Sequence, residues 1–202
     1  MRYGMVIDQS RCVGCQACTV ACKQKNGTPP GVLWGRVLVS ETGKYPNARL
    51  QFTPILCMHC EKPACEAVCP TGATAKQPNG VVTVDQSKCI GCRYCMLACP
   101  YNARSFNYRS LQPQYEGQKL TVFEQAHEAK HPAGKVGKCN FCIDRLEADQ
   151  VPKCAETCPA KARFFGDLDD PQSEVSKLIA RRGGYQLRVD LGTGPSVYYL
   201  PS

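Results

Sequence analysis

Cys89-Ile90-Gly91-Cys92-Arg93-Tyr94-Cys95-Met96-Leu97-Ala98-Cys99-Pro100 sets four cysteines at intervals of two, two and three residues and ends on a proline. The arrangement returns three times. Cys12, Cys15, Cys18 and Cys22 repeat the intervals, with Lys23 in the proline's place. Cys57, Cys60, Cys65 and Cys69-Pro70 widen the middle interval to four, and Cys139, Cys142, Cys154 and Cys158-Pro159 widen it to eleven. These groups use all sixteen cysteines of the 202-residue chain. A cysteine content this high has two ordinary causes, a disulfide framework or metal ligation. Disulfides serve small secreted domains that lack a core. This chain is long enough to bury one, and bridges between cysteines two or three residues apart would constrain almost nothing.

Metal ligation accounts for the spacing. Zinc also uses paired C-x2-C units, but a zinc site needs only two pairs and leaves the last cysteine and its proline without a role. A cubane uses them all. Three cysteines on a tight loop wrap one face of it, and Gly14 and Gly91 allow backbone angles and approaches that a Cβ forbids. The fourth cysteine is expected to start or ride a short helix and to point at a different cluster. The proline then stops that helix, whereas after Cys22 the helix should run on through Lys23-Gln24. Four groups of four predict four [4Fe–4S] clusters.

An internal repeat supports this reading. Val6-Ile7-Asp8-Gln9-Ser10-Arg11-Cys12-Val13-Gly14-Cys15 runs against Thr83-Val84-Asp85-Gln86-Ser87-Lys88-Cys89-Ile90-Gly91-Cys92. Cys69-Pro70-Thr71-Gly72-Ala73, Cys99-Pro100-Tyr101-Asn102-Ala103 and Cys158-Pro159-Ala160-Lys161-Ala162 echo one another after the last cysteines. Each unit reads as strand, cluster loop, short helix, strand. The fold class is therefore α+β: duplicated two-cluster units like bacterial ferredoxins, with short strands, short helices and long loops. Between Cys69 and Cys89 there is room for a turn at Pro78-Asn79-Gly80 and a strand at Val81–Val84. That connection resembles the one inside a two-cluster ferredoxin, so the second and third groups should exchange their fourth cysteines, leaving the first and fourth groups to pair. The expected ligand sets are Cys12, Cys15, Cys18 with Cys158; Cys22 with Cys139, Cys142, Cys154; Cys57, Cys60, Cys65 with Cys99; and Cys69 with Cys89, Cys92, Cys95. One ferredoxin-like unit is then 1–30 plus 139–165, and the other is 50–108. Residues 109–138 form an insertion, and 166–202 a C-terminal extension for packing or partner contact.

The formal net charge of +8 raises the question of nucleic acid. Four cubanes with thiolate ligands carry about −8 together, so the basic excess offsets cofactor charge, and no nucleic-acid partner is expected. No apolar run approaches the length of a membrane helix, and Met1–Asp8 leads directly into the first group, so a soluble chain without its own span or signal peptide is expected. Strands are expected at Val37-Leu38-Val39 and Leu50-Gln51-Phe52, and a strand or extended arm at Val197–Leu200. A strand or extended arm is expected at Gln186–Asp190, and an amphipathic helix over Glu174–Arg181 stopped by Gly183-Gly184. Trp34 reads as a core or interface residue. His59, inside a complete cysteine loop, reads as a hydrogen-bond donor to the cluster rather than a ligand. Arg11, Lys88 and Arg93 stand next to cysteine groups, either as cations that raise potentials or as plain surface charge.

At these motifs the chain resembles the four-cluster electron-transfer subunits of the DMSO-reductase-type molybdenum or tungsten oxidoreductases. Met5-Val6-Ile7-Asp8 before the first group and Gly166-Asp167-Leu168-Asp169-Asp170-Pro171-Gln172-Ser173 after the fourth are similar to the polysulfide, thiosulfate and arsenate reductase branch. The resemblance implies an electron-transfer subunit without catalysis of its own. It implies a molybdopterin (bis-MGD) catalytic partner and a membrane-anchor, quinol-interacting subunit. It further implies a membrane-associated or periplasmic complex, exported folded with the partner, with a cytoplasmic location as the alternative. The competing reading is a free-standing polyferredoxin or hydrogenase-linked carrier.

Overall fold

The computed structural model describes residues 1–113, 115 and 117–201. Its first strand, β1 (Tyr3–Asp8), is buried from Gly4 onward because it has neighbours on both edges. The elements that follow are short. Helix α1 (Ala17–Asn26) precedes a long hairpin of β2 (Arg36–Thr42) and β3 (Arg49–Ile55). Helix α2 (Ala64–Ala67) leads into the hairpin of β4 (Thr74–Lys76) and β5 (Val82–Val84). After α3 (Tyr94–Leu97) comes β6 (Ser105–Asn107), and after α4 (Val122–Glu128) comes β7 (Lys135–Gly137), which pairs antiparallel with β6. The chain closes with α5 (Ile143–Leu146), α6 (Lys153–Glu156), β8 (Arg163–Asp167), α7 (Glu174–Arg182) and β9 (Val197–Leu200). The architecture is α+β, with long loops between small elements.

The only three-stranded sheet among the described residues has the order β8-β1-β9. β8 runs antiparallel to β1, with Tyr3 opposite Asp167, and β9 runs parallel to it, with Met5 opposite Val197. The first strand is thus enclosed by the last two. One face packs Val6 and Leu200 against Val175 and Leu178 of α7. The other joins the main core of Met5, Ile7, Met58, Val81, Phe141 and Tyr199. The segment before β9 crosses to the second cysteine group: Glu61 and Lys62 donate backbone N–H bonds to Gly194 and Thr193, and Ser196 donates to Met58. The C-terminal extension therefore ties β1 to the Cys57–Cys60 loop. Among the described residues no helix is long and apolar enough to cross a membrane.

The sequence repeat is a structural repeat. Ser10 donates N–H and O–H bonds to Asp8 Oδ1 at 3.1 and 2.6 Å, and Ser87 does the same to Asp85 at 2.9 and 2.6 Å. Each aspartate closes the turn that carries a strand into its cysteine loop. Two expectations need correction. First, the helices carry the third cysteine of each group (Cys18, Cys65, Cys95, Cys154), while Cys69, Cys99 and Cys158 lie just past the helix end, ahead of their prolines. Only Cys22 rides its helix, because Lys23 lets α1 continue to a left-handed Gly27 cap. Second, Gln186–Asp190 is no strand: Arg188 has a left-handed φ of 53° and leads into a 3-10 turn at Val189–Leu191.

Candidate metal centres

All sixteen cysteines are free thiols. Cys12, Cys15, Cys18 and Cys158 line one cavity together with Arg163. Cys57, Cys60, Cys65 and Cys99 line another, with Arg104, Tyr101 and Thr193. Cys139 has Cys22, Cys57, Cys154 and Cys142 as neighbours. Cys89 and Cys95 are packed with Ala73 and Val136, and Cys65 and Cys69 border them. Cys15 and Cys92 are the two exposed cysteines, at equivalent places in the repeat.

The loops achieve this through left-handed backbone. The third residue of each C-x-x-C unit has positive φ: Gly14 at 69°, His59 at 44°, Gly91 at 72° and Phe141 at 55°. Glycine does this without strain, whereas His and Phe do not. The glycines are visible in the sequence, but nothing there signals that His59 and Phe141 share their conformation. His59 makes its polar contact through Nδ1, and its Nε2 is buried without a hydrogen-bond partner among the described residues. Its Nδ1 accepts the Val82 N–H at 3.0 Å, and its ring stacks on Phe141. Burial, with Lys138 and Arg104 nearby, pushes its pKa well down, so the ring is neutral with its proton on Nε2.

Burial also sets the thiols. Cys22 is pushed up to about 12 by burial and by the thiols of Cys154 and Cys142. Cys60 is likewise pushed up to about 12, by burial and then by its group. Cys69 runs the other way: burial raises it, but hydrogen bonds led by the Thr74 N–H, 3.4 Å from the sulfur, outweigh that and lower it. The Ala162 N–H reaches Cys158 Sγ in the same manner, at 3.3 Å.

Three cations are buried among these thiols. Arg163 donates to Cys18 Sγ at 3.3 Å and Cys154 Sγ at 3.7 Å. Burial opposes its charge, but those thiols outweigh it and raise its pKa. Arg104 lies beside Cys65 and Cys95. Its Nη1 donates to Thr74 Oγ1 at 3.2 Å, and its Nη2 is buried without a hydrogen-bond partner among the described residues. Lys138 Nζ donates to the carbonyls of Val82 and Cys139. The cations singled out from sequence sit elsewhere. Exposed Arg11 pairs with the buried Asp8, Lys88 pairs with Asp85 at the surface, and Arg93 covers the Phe106 ring.

This donor set fits [4Fe–4S] clusters. It offers soft thiol ligands in fours, cavities lined by whole sets, and an orphaned arginine donor facing one of them. Among the described residues no three His, Cys, Asp or Glu side chains converge tightly enough to hold a single metal ion. The sites and the fold define an iron–sulfur electron carrier of the ferredoxin type, with four [4Fe–4S] clusters. A family model described as "4Fe-4S dicluster domain" matches residues 48–115 and 122–168, and a second model of that description matches 11–73. A "Putative dimethyl sulfoxide reductase iron-sulfur subunit" of Halobacterium salinarum is 45% identical over 98% of this chain and 78% of its own. A selenate reductase subunit of Mesobacillus selenatarsenatis is 45% identical, over 99% of this chain and 72% of its own. An arsenate respiratory reductase iron-sulfur subunit of Shewanella sp. is 39% identical over 100% of this chain and 97% of its own. The chain belongs to this 4Fe-4S dicluster family of reductase iron–sulfur subunits.

Proposed function

We propose that the chain is the non-catalytic electron-transfer subunit of a molybdenum or tungsten oxidoreductase, working beside a bis-MGD catalytic subunit and a membrane-anchor, quinol-handling subunit. The ligand sets are Cys12, Cys15, Cys18, Cys158; Cys22, Cys139, Cys142, Cys154; Cys57, Cys60, Cys65, Cys99; and Cys69, Cys89, Cys92, Cys95. Residues 1–30 with 139–165 make one cluster unit and 50–108 the other. When bound, the clusters supply one-electron centres with potentials anywhere from roughly −700 to +450 mV, set by burial, hydrogen bonds and charge. The chain's work is to hold, space and tune them. The complex is membrane-associated or periplasmic, and the folded subunit is exported with its catalytic partner.

The observation that carries this reading is the single file of thiol neighbours. Cys18 of the first group and Cys154 of the fourth share Arg163, Cys139 of the fourth and Cys57 of the second pack in one core cluster, and Cys65 of the second packs against the cluster of Cys89 and Cys95 of the third. The file begins and ends in the groups that carry exposed Cys15 and Cys92. Such an order supports a conductor with one port at each end. The names of the relatives, subunits of selenate, arsenate and dimethyl sulfoxide reductases, support a larger reductase as the partner. Anaerobic co-purification with mass spectrometry and molybdenum and tungsten analysis tests it. A stable large molybdopterin subunit is expected. A chain that purifies alone with its iron and sulfide complete overturns the complex in favour of a free carrier.

A further inference from the structure

Arg163, Lys138 and Arg104 are exposed by only 7%, 4% and 5%, and none takes part in an ion pair with a carboxylate among the described residues. A buried cation without an anionic partner is costly. Cations near the surface of this chain, such as Arg11, Lys88 and Arg145, do have acidic partners. The three buried ones have sulfur or carbonyl neighbours instead, and each occupies a different joint of the file. Arg163 bridges Cys18 and Cys154, the third cysteines of the first and fourth groups. Arg104 lies between Cys65 and Cys95, the third cysteines of the second and third groups. Lys138 is bonded to the Cys139 carbonyl of the fourth group and lies near Cys65 and His59 of the second. Arg104 and Arg163 are each the fifth residue after the last cysteine of a group, so the two units place their arginine by the same local structure.

We infer that these are joint cations: one fixed positive charge stands between each pair of successive clusters, favouring the reduced form on both sides and shielding each centre from an electron on the next. This rests on the ligand sets proposed above. Each transfer moves one electron from a centre to its neighbour, with no bond made and no proton required. Without a charge in the gap, an electron on one centre makes reduction of the next less favourable, and that penalty is greatest where the medium is least polar. A guanidinium suits the arginine joints because it keeps its charge in a buried setting and spreads donors toward sulfurs on two sides. The lysine joint is held by carbonyls, which fix the ammonium's place without neutralising it.

The test is EPR-monitored redox titration of the cluster-loaded protein. Arg163→Gln, Lys138→Gln and Arg104→Gln are each expected to lower two of the four couples, so that the reduced-to-oxidised ratio at fixed potential falls about tenfold, or about 59 mV for a one-electron couple. The other two couples stay in place, and the three affected pairs overlap in sequence as a chain of four requires. Arg11→Gln, at the surface, shifts none. Arg163→Lys and Arg104→Lys keep the charge and stay within about threefold of wild type. Where a glutamine variant does not retain its iron, the charge-keeping variant decides, with Lys138→Arg serving that joint. Glutamine variants that leave all couples in place, or shift all four equally, overturn the inference, as does a lysine variant shifted tenfold. Failure of the underlying reading looks different: wild-type protein then holds fewer than four clusters by iron and sulfide analysis.

Discussion

The rings of His59 and Phe141 stack with centroids 3.7 Å apart and planes 24° apart, and the two residues hold the place that Gly14 and Gly91 hold in the other cysteine loops. Both therefore carry a side chain at positive φ, a strain of about 1–3 kcal/mol each. Glycine would remove the strain and lose the stack, which joins the second group's loop to the fourth group's. The ring of Phe141 is almost fully buried, so deleting it costs about 3–5 kcal/mol, more than the strain relieved. Phe141→Gly and His59→Gly are thus expected to lose clusters faster in denaturant than wild type. The double variant should be less impaired than the sum, with a coupling of about 0.5–1.5 kcal/mol. Visible absorbance against urea reads this; additive effects would mean that the rings act separately.

Gly91 and Gly14 look equivalent in sequence, yet their surroundings differ. A Cβ on Gly91 would lie 2.0 Å from the Gly134 carbonyl oxygen, whereas one on Gly14 would meet the Phe52 ring at 2.4 Å. Both alanines pay about 1–2 kcal/mol for a left-handed backbone. Phe52 is a partly exposed side chain that can swing away, but the Gly134 backbone is fixed by its N–H bond to Asn107. Gly91→Ala is expected to purify short of one cluster's iron, and Gly14→Ala to keep its iron with lower stability. Equal iron in the two variants would contradict this.

The contrast shows what a sequence reading reaches. Cysteine spacing, the Asp8 and Asp85 repeat, the hairpin strands around Val37 and Leu50, and the helix after Ser173 are legible because each depends on local chemistry. Gln186–Asp190 reads wrongly as extended because apolar alternation says nothing of the left-handed turn at Arg188. The buried cations do not stand out because the echo after the last cysteines ends at Ala103 and Ala162, one residue short of Arg104 and Arg163. Even there, burial depends on long-range packing that places Cys18 beside Cys154. Lys138 stands directly before its group's first cysteine, as Arg11 and Lys88 do, and nothing local distinguishes it as the buried one of the three.

Asp8 ties the first strand to the last long helix. Arg182 donates to both its carboxylate oxygens, and Ser10 adds a bond at 2.6 Å. Burial raises its pKa, but Ser10 and Arg182 outweigh that, and the net shift is downward. A lowered carboxylate pKa gives stability that is complete above the ordinary value near 4 and lost only as pH falls through the folded value. Arg182→Met leaves the buried carboxylate short of a partner, at about 1–3 kcal/mol. Amide exchange in α7 is expected to quicken about tenfold or more, by the same factor at pH 5 and pH 8. A difference that fades between those values would place the titrating group elsewhere.

Cys158 tests the exchange between distant segments. It lies in the fourth group by sequence, yet shares its cavity with Cys12, Cys15 and Cys18. Serine is a harder ligand than thiolate and alters a cluster's potential and spectrum without removing the side chain's volume. Cys158→Ser and Cys15→Ser should therefore perturb the same EPR-resolved couple, while Cys142→Ser perturbs a different one. By the same logic Cys99→Ser should follow Cys60→Ser and leave the Cys92→Ser couple alone, since Cys99 lines the Cys57, Cys60 and Cys65 cavity. If Cys158→Ser instead follows Cys142→Ser, each group keeps its own fourth cysteine and the two units are not interlocked. Their stabilities would then separate as well: losing the cluster of one segment would leave the other segment in place. In the exchanged arrangement, cluster loss from Cys12–Cys18 frees the Cys158 turn, and the β8 strand that begins at Arg163 should lose amide protection with it.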